Sequence, residues 1–221
     1  MPRLARIVVP DIPYHITQRG NHKQDIFFSS LDRKRYLDWL ALYSSFYRFD
    51  IQAYCLMSNH VHIVGIPRKP CSMARAIQVV HGQHSRTVNR EQGWHGHLWH
   101  SRYFATALDD RHLWLAMRYV EQNPVRAGIV SRAEDYVWSS AMFHCGLQAD
   151  PLINQDSQIL TMFDDWQKNL SDIPDDEALM MLRGRTLSGI PCGDEKFVRK
   201  ISKLSGQNYV KRKRGRPSKP A

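Results

Sequence analysis

Residues 56–65 read Leu-Met-Ser-Asn-His-Val-His-Ile-Val-Gly, and this stretch decides the predicted fold. Its β-branched residues, its two-residue alternation and the Gly-Ile-Pro exit that follows predict a β-strand. Residues two apart on a strand point to the same face, so we expect His60 and His62 to lie side by side, roughly 7 Å apart at Cα. Two imidazoles on one strand can bind a divalent metal when oxygen ligands arrive from elsewhere. The alternative is a pair of surface histidines on an edge strand, because a His-x-His pattern alone is common.

The charge of the chain is unevenly distributed. Its formal net charge is +10. Residues 1–149 hold 18 Lys/Arg and 11 Asp/Glu, residues 150–177 hold one Lys and 8 Asp/Glu, and residues 178–221 hold 12 Lys/Arg and 2 Asp/Glu. A basic body with a strongly basic end indicates a polyanionic partner, most simply nucleic acid. No apolar run reaches the roughly 18 residues of a membrane span, so we expect no membrane partner. The four cysteines lie far apart without a CxxC pair, which favours a reduced, cytoplasmic protein, and a nucleic-acid partner would associate it with the nucleoid.

The hydrophobic pattern of the first 130 residues predicts seven elements in the order βαββαβα. They are a strand over 13–20, a helix capped by Asp32 that runs to 48, strands over 51–57 and 60–66, a helix over 72–92, a strand over 103–108, and a helix capped by Asp109 and Asp110 that runs to Asn123. This order predicts an α+β fold, a ferredoxin-like sandwich in which an antiparallel four-stranded sheet carries helices on one face.

The remaining residues predict a helical continuation and a tail. Residues 131–145 are expected to form one more short helix, and residues 158–170, 176–183 and 194–204 to form helices of a C-terminal extension. Residues 207–221 lack an apolar pattern and are expected to be disordered without a partner. We therefore predict an α+β domain over 1–149, which would hold any catalytic site, a helical extension over 150–206 and a basic DNA-binding tail over 207–221.

The last helix of the βαββαβα unit carries the second half of the predicted site. Tyr119 and Asn123 are four residues apart and share one helical face, just before Pro124. A tyrosine hydroxyl there can attack a phosphodiester whose non-bridging oxygen is held by a metal acting as a Lewis acid. The alternatives are a structural tyrosine and, for Asn123, a helix C-cap before proline.

Two motifs in this order resemble a known family. Residues 57–62 read Met-Ser-Asn-His-Val-His, and residues 119–128 read Tyr-Val-Glu-Gln-Asn-Pro-Val-Arg-Ala-Gly. With Thr-Gln-Arg-Gly-Asn at 17–21, they resemble the REP-associated tyrosine transposases, which are single-tyrosine members of the HUH superfamily of single-strand DNA endonucleases. The resemblance covers about residues 1–145, and the Arg-Gly-Arg-Thr segment at 183–186 resembles the C-terminal extension of that family.

The resemblance implies a metal-dependent single-strand DNA endonuclease and strand transferase that acts at palindromic, REP-type hairpins with a flanking guide sequence. It implies that Tyr119 is the nucleophile and forms a covalent 5′-phosphotyrosine intermediate. It also implies that His60 and His62 bind Mg²⁺ or Mn²⁺, with Asn123 as the third ligand. The alternative is a non-catalytic regulatory protein that keeps the fold and binds repeat DNA.

The third ligand and the oligomeric state are the open points of this interpretation. Related transposases carry glutamine where this chain has the shorter Asn123, so Gln122 and Glu121 are substitutes for it. A single tyrosine in the motif, together with a C-terminal extension, favours a monomer that completes its site within one chain, and a dimer is the alternative.

Basic and aromatic residues supply the expected DNA contacts, by phosphate binding and base stacking. In the body of the chain these are Arg19, Asn21, His22, Arg75, Arg86, Trp99 and Arg102, and in the tail they are Lys211, Arg212, Lys213, Arg214 and Arg216. For the tryptophan the alternative is core packing. The Arg-Gly-Arg-Pro core of the tail resembles an AT-hook, and deletion of the tail is expected to flatten the salt dependence of DNA binding. A simple solvated basic tail is the alternative.

Overall fold

A computed structural model describes residues 8–153, 165–172 and 176–209 of the chain. One sheet contains the strands β1 (Tyr14–Arg19), β2 (Phe49–Leu56), β3 (His60–Pro67) and β4 (Phe104–Ala107). The strand order is β2-β3-β1-β4, and each neighbouring pair is antiparallel. The predicted α+β class and antiparallel four-stranded sheet are confirmed. β3 lies inside the sheet, so the alternative of an edge strand for the histidine pair is wrong.

Helices follow the predicted order. They are α1 (Ser30–Tyr47), α2 (Ser72–Gln92), α3 (Asp110–Glu121), α4 (Asn123–Arg126), α5 (Ala141–His144), α6 (Trp166–Ser171), α7 (Asp176–Ser188) and α8 (Glu195–Ser205), with short 3-10 turns at Asn21–Lys23 and Ala133–Asp135. The bounds of α2 match the prediction. The cap of α1 does not: Ser29 is the N-cap, and Asp32 lies three residues later as the second partner of a capping box.

The sheet is covered on both faces. Val61 and Ile63 lie in one apolar cluster with buried residues of α1 and α2. Cys55 and Val64 point the other way, and they lie in a second cluster with buried residues of α3 and α7. The expectation of helices on one face is therefore wrong. Because α3 packs on the second face, it lies over the same side of the sheet as His62, which is the partner of Cys55 in the ladder.

Residues 131–145 do not form one helix. They form a 3-10 turn and the four-residue α5, and between these the chain runs along the outer edge of β2. The amide of Leu56 donates to the carbonyl of Trp138 across 2.9 Å, and the amide of Tyr54 donates to the hydroxyl of Ser140 across 3.0 Å. Pairing with an otherwise open sheet edge outweighs the helical pattern of this segment.

The C-terminal part packs against the sheet and α3. Leu179 and Leu182 of α7 and Trp166 of α6 are buried in the same apolar cluster as α3. The amide of Cys192 donates to the carbonyl of Ala107 across 2.8 Å, which places residues 190–192 beside β4. The division into three domains stays a prediction. The tail beyond residue 209 lies outside the described residues. The first part of the predicted helix, residues 158–164, lies outside them as well. Among the helices that the structure describes, none combines the length and apolarity needed to cross a bilayer.

Candidate active site

A pocket of about 590 Å³ lies on the sheet face that α3 and α7 cover. The strands contribute alternate residues to it because side chains two apart share a face, and the ladder between β1 and β3 aligns these rows. The lining residues are His15, Thr17, Gln18, Arg19, His60, His62, His100, Phe104, Tyr119, Asn123, Arg183, Thr186 and Leu187. None of these thirteen residues is acidic, so within the described part of the chain the pocket wall suits an anion such as a phosphodiester.

His60 and His62 lie together in this pocket, with ring centroids 5.0 Å apart. The Nδ1 atom of His60 is 2.6 Å from Oδ1 of Asn59, and the Nδ1 atom of His62 is 3.0 Å from Nε2 of His15. Each ring therefore uses Nδ1 for a neighbouring side chain and keeps Nε2 for a ligand. A hydrogen-bonded Nδ1 with a free Nε2 is the usual arrangement of metal-binding histidines.

Burial keeps these imidazoles neutral. It lowers the pKa of His60 to about 4, with the charge of Arg19 as a second cause. Burial also places the pKa of His62 well below its usual range, and the neighbouring His15, His60 and two arginines act in the same direction. Because only a neutral imidazole has a lone pair for a metal, both rings are in the state that a cation requires.

Tyr119 faces the histidines from α3. Its ring centroid is 5.4 Å from that of His62 and 5.7 Å from that of His15, and both contacts are edge-on. Nε of Arg183 on α7 donates to the phenol oxygen across 3.2 Å. The guanidinium of Arg126 lies 4.3 Å from the centroid of the Tyr119 ring and donates to its backbone carbonyl across 2.7 Å. Two cationic groups therefore flank the phenol.

Asn123 lines the pocket, whereas its two proposed substitutes do not. Its Nδ2 donates to the carbonyl of Tyr119 across 3.3 Å, which leaves Oδ1 for another partner. The helix C-cap is Gln122, so the C-cap alternative for Asn123 is wrong. Nε2 of Gln122 donates to the carbonyl of Leu170, on the far side of α3. The carboxylate of Glu121 is fully buried and accepts from Ser140, His144 and Trp166.

A divalent cation would find a small donor set here. Among the described residues, no three histidine, cysteine or carboxylate side chains are grouped to hold a metal. Two neutral imidazoles and the amide oxygen of Asn123 are nevertheless chemically suited to Mg²⁺ or Mn²⁺, and they leave coordination positions for water or a phosphate oxygen. The residues present fit a cation that is shared with the substrate.

Comparison with known proteins decides the family. The model of the IS200-like transposases matches residues 8–123, which is more than half of the chain and includes His60, His62 and Tyr119. The chain belongs to the IS200-like transposase family. A Haemophilus influenzae protein, provisionally named a REP-associated tyrosine transposase, is 26% identical over 115 residues, which cover 47% of this chain and 64% of that relative. The matched part thus spans less than two thirds of the relative's length.

A solved structure of a REP-associated tyrosine transposase bound to a REP hairpin has a TM-score of 0.55 against this chain. Its sequence identity is 16%, and the superposition covers 75% of this chain and 96% of that one. The likeness shows that this member of the IS200-like transposase family shares the fold of that structure over most of its described length.

The expected DNA contacts of this transposase fall into two groups. Arg19 lines the pocket, and Asn21 and His22 form the 3-10 turn directly after β1. Arg102 is exposed in the segment that leads into β4. Arg75 and Arg86 are exposed on α2, in the layer across the sheet from the pocket. The first group therefore lies in or close to the pocket and the second lies on the other side of the sheet, and the DNA contacts of both groups stay predictions.

Trp99 is largely committed to the fold. Its ring stacks on His81 with centroids 4.3 Å apart, and its Nε1 donates to the carbonyl of the same residue across 3.1 Å. The core-packing alternative describes this side chain.

Trp94 is more exposed, at 38%, and lies edge-on to the exposed Phe28. The tail residues from 211 onward lie outside the described part of the chain.

No role was assigned from the sequence to four residues whose side chains contact Tyr119, His62 or each other at the site of this transposase: His15, Arg126, Arg183 and Thr186. A signal existed for His15, because the alternation of β1 places it on the same face as Thr17 and Arg19, and a strand next to β3 presents that face to the histidine pair. For the two residues of α7 the resemblance of residues 183–186 to the C-terminal extension of the family marked the segment, but it gave neither residue a role, since their contacts depend on how the C-terminal part packs.

Proposed function

We propose that this chain is a metal-dependent single-strand DNA endonuclease and strand transferase that works through a covalent 5′-phosphotyrosine at Tyr119. The observation that carries the proposal is the position of the Tyr119 phenol, edge-on to His62 at 5.4 Å between ring centroids and hydrogen-bonded to Arg183. A tyrosine buried only for packing has no need of two guanidinium groups at its ring and its oxygen.

The reaction that fits these residues is a transesterification. The phenol oxygen of Tyr119 attacks phosphorus, the new O–P bond forms, and the bond from phosphorus to the 3′ oxygen of the preceding nucleotide breaks. The phenol loses one proton and the departing 3′ oxygen gains one. Because one phosphodiester bond replaces another, the step needs no outside energy source. Arg183 and Arg126 stabilise the negative charge that develops on the phosphoryl group and the phenol oxygen.

His60, His62 and Asn123 would hold the cation. When bound, Mg²⁺ or Mn²⁺ would act as a Lewis acid on a non-bridging phosphoryl oxygen. The imidazoles meet the cation as neutral ligands because burial has already removed their protons at neutral pH. Asn123 keeps its amide aligned through its contact with the Tyr119 carbonyl, which ties the ligand position to the nucleophile's own helix.

The proposed substrate is a palindromic DNA hairpin of the REP type with a single-stranded flank. Two observations on relatives support it: the Haemophilus relative carries the name of a REP-associated transposase, and a protein of the same fold was solved with a REP hairpin. The pocket of this chain also supports a DNA substrate, because its lining contains Arg19 and Arg183 and no carboxylate. The site is built from one chain, and we propose that the protein acts as a monomer.

An adduct assay tests the proposal. The full chain is incubated with a hairpin DNA labelled at its 3′ end and with Mn²⁺, and covalent complexes are resolved on a denaturing gel. We expect an adduct with the wild type and none with Tyr119→Phe or with EDTA, whereas Tyr47→Phe on α1 serves as the matched control and keeps the adduct. If the wild type binds the hairpin and forms no adduct, the protein is the non-catalytic repeat-binding factor instead.

A further inference from the structure

His15 is a buried histidine beside the site that the reaction scheme leaves unused. It is 1% exposed and lies on β1, directly next to β3. Its ring stacks on His62 with centroids 5.2 Å apart and planes 10° apart, and the two nitrogens His15 Nε2 and His62 Nδ1 are 3.0 Å apart. One of these two nitrogens must donate a hydrogen bond to the other, and the identity of the donor determines the tautomer of His62.

The other side of His15 settles the direction. Its Nδ1 is 2.9 Å from the hydroxyl oxygen of Thr186 on α7. The carbonyl of Leu182, one turn earlier and 2.8 Å from that hydroxyl, can only accept, so this hydrogen bond uses the single hydrogen of the Thr186 hydroxyl. The Thr186 oxygen must therefore accept from His15, which places the single proton of a neutral His15 on Nδ1. Its Nε2 then carries a lone pair and accepts from Nδ1 of His62.

We propose that Thr186 and His15 are positioning residues that fix His62 in the tautomer whose Nε2 lone pair faces the pocket. The chain of donors runs from His62 to His15, to Thr186 and to the carbonyl of Leu182. We call this chain of hydrogen bonds the relay, and the function given to it rests on the proposed role of His62 as a cation ligand. It also assigns a role to the C-terminal extension, because α7 then sets the state of a ligand that lies on β3.

The geometry of α7 supports this assignment. Arg183 and Thr186 are three residues apart and so share one helical face. Arg183 reaches the phenol of Tyr119, and Thr186 reaches His15. Thr186 is itself 1% exposed, so water does not compete for its hydroxyl. Burial lowers the pKa of His15 to about 3, which agrees with a neutral ring in this position.

The first test reads the tautomer without any metal. Long-range proton–nitrogen NMR of the full chain labelled with ¹⁵N distinguishes an imidazole protonated at Nδ1 from one protonated at Nε2. In the wild type at pH 7.5 we expect His62 protonated at Nδ1. Thr186→Val keeps the shape but removes the acceptor, and we expect it to give a mixture of tautomers at His15 and His62. Thr186→Ser keeps the hydroxyl and should restore the wild-type pattern.

The second test reads cation affinity. Free Mn²⁺ is measured by electron paramagnetic resonance during titration of each variant, with the hairpin DNA present. Loss of a partner that orients a metal-binding histidine typically weakens affinity 10- to 100-fold, so we expect a loss of about tenfold in Thr186→Val and recovery in Thr186→Ser. The matched control is Ser202→Ala on α8, which removes an equivalent hydroxyl bond to a carbonyl four residues earlier, away from the pocket.

The outcomes separate the two proposals. If the wild type binds no Mn²⁺, the proposed role of His62 as a cation ligand is wrong. The NMR tautomers of His15 and His62 then still test whether Thr186 and His15 fix the tautomer of His62. If wild type binds Mn²⁺ and Thr186→Val matches it in both affinity and tautomer, the relay is wrong while the proposed function stands. An equal loss in Thr186→Ser and Thr186→Val would also overturn the relay, because it would reflect packing and not the hydroxyl.

Discussion

Arg183 donates a hydrogen bond from Nε to the phenol oxygen of Tyr119 across 3.2 Å, although 64 positions separate the two residues in the chain. The guanidinium carbon also lies 5.4 Å from the centroid of the tyrosine ring. A helix of the C-terminal extension therefore supplies a cation to the proposed nucleophile. This contact joins the two parts of the chain at the point where the chemistry is expected.

Replacement of Arg183 is predicted to slow cleavage without preventing hairpin binding. A charged hydrogen bond contributes about 1.5–3 kcal/mol, and its solvent exposure here places Arg183→Ala near the lower end, at roughly a tenfold slower single-turnover rate. Arg183→Lys keeps the charge but loses the planar donor, so its rate should fall between those of the wild type and Arg183→Ala. Arg199→Ala on α8 is the control and should react at the wild-type rate. An Arg183→Ala rate equal to that of the control would remove Arg183 from the mechanism.

Asn123 and Gln122 are neighbours with predicted opposite phenotypes. Asn123 lines the pocket, whereas the Gln122 amide donates to the Leu170 carbonyl across 2.5 Å. Asn123→Ala should weaken Mn²⁺ binding by about tenfold and leave the free energy of unfolding nearly unchanged. Gln122→Ala should leave Mn²⁺ binding unchanged and lower the free energy of unfolding by about 1–2 kcal/mol. Metal titration and urea unfolding of both variants test the pair, and weaker Mn²⁺ binding in Gln122→Ala alone would reverse the assignment.

The parts of the fold that could be predicted are those that local periodicity sets. The alternation of residues 60–66 placed His60 and His62 on one face, and the helical pattern of 72–92 gave the bounds of α2. The end of α3 was missed because Pro124 is accepted at the start of a new helical turn, where its missing amide proton is not needed. The segment 136–140 was missed because pairing with β2 overrides its helical pattern.

The parts of the site that could not be predicted are those that packing sets. Tyr119 and Asn123 share a helix, and their spacing alone places them together. The contact between His15 and Thr186 joins residues 171 positions apart, and no spacing rule reaches that far. The same holds for the choice among the three adjacent polar residues at 121–123, because only the packing of α3 on α6 removes Glu121 and Gln122 from the pocket.

Glu121 is predicted to be a stability residue. Its side chain is fully buried and pairs with His144 at 2.5 Å, and its second oxygen accepts from Nε1 of Trp166 across 2.7 Å. Glu121→Gln leaves these donors with a neutral, poorer acceptor, and the loss of a hydrogen bond to a buried charged group costs about 1.5–3 kcal/mol. Glu195→Gln, in the exposed pair with Arg199, should cost less than about 1 kcal/mol. Urea unfolding at pH 7.5 compares them, and similar midpoints would refute the assigned role of Glu121.

His84 is predicted to make the protein sensitive to acid. It is buried between α1 and α2, where its Nε2 donates to the carbonyl of Ile26 across 2.7 Å. Burial lowers its pKa to about 4, whereas the unfolded chain has a histidine pKa near 6.5. Between these two values the unfolded state binds one more proton than the folded state. The contribution of His84 to stability is therefore complete above pH 6.5 and falls by about 1.4 kcal/mol for each pH unit down to about pH 4.

His84→Gln isolates this contribution, because glutamine can donate to the Ile26 carbonyl but cannot take up a proton. We expect the free energy of unfolding of His84→Gln to depend on pH with a slope smaller by about one proton between pH 6.5 and 4.5. His97→Gln, on the exposed loop before β4, is the control, and its slope should equal that of the wild type. Urea unfolding at four pH values gives the slopes. Equal slopes in His84→Gln and wild type would mean that His84 takes up its proton in the folded state as readily as in the unfolded chain, and burial would then not govern its charge.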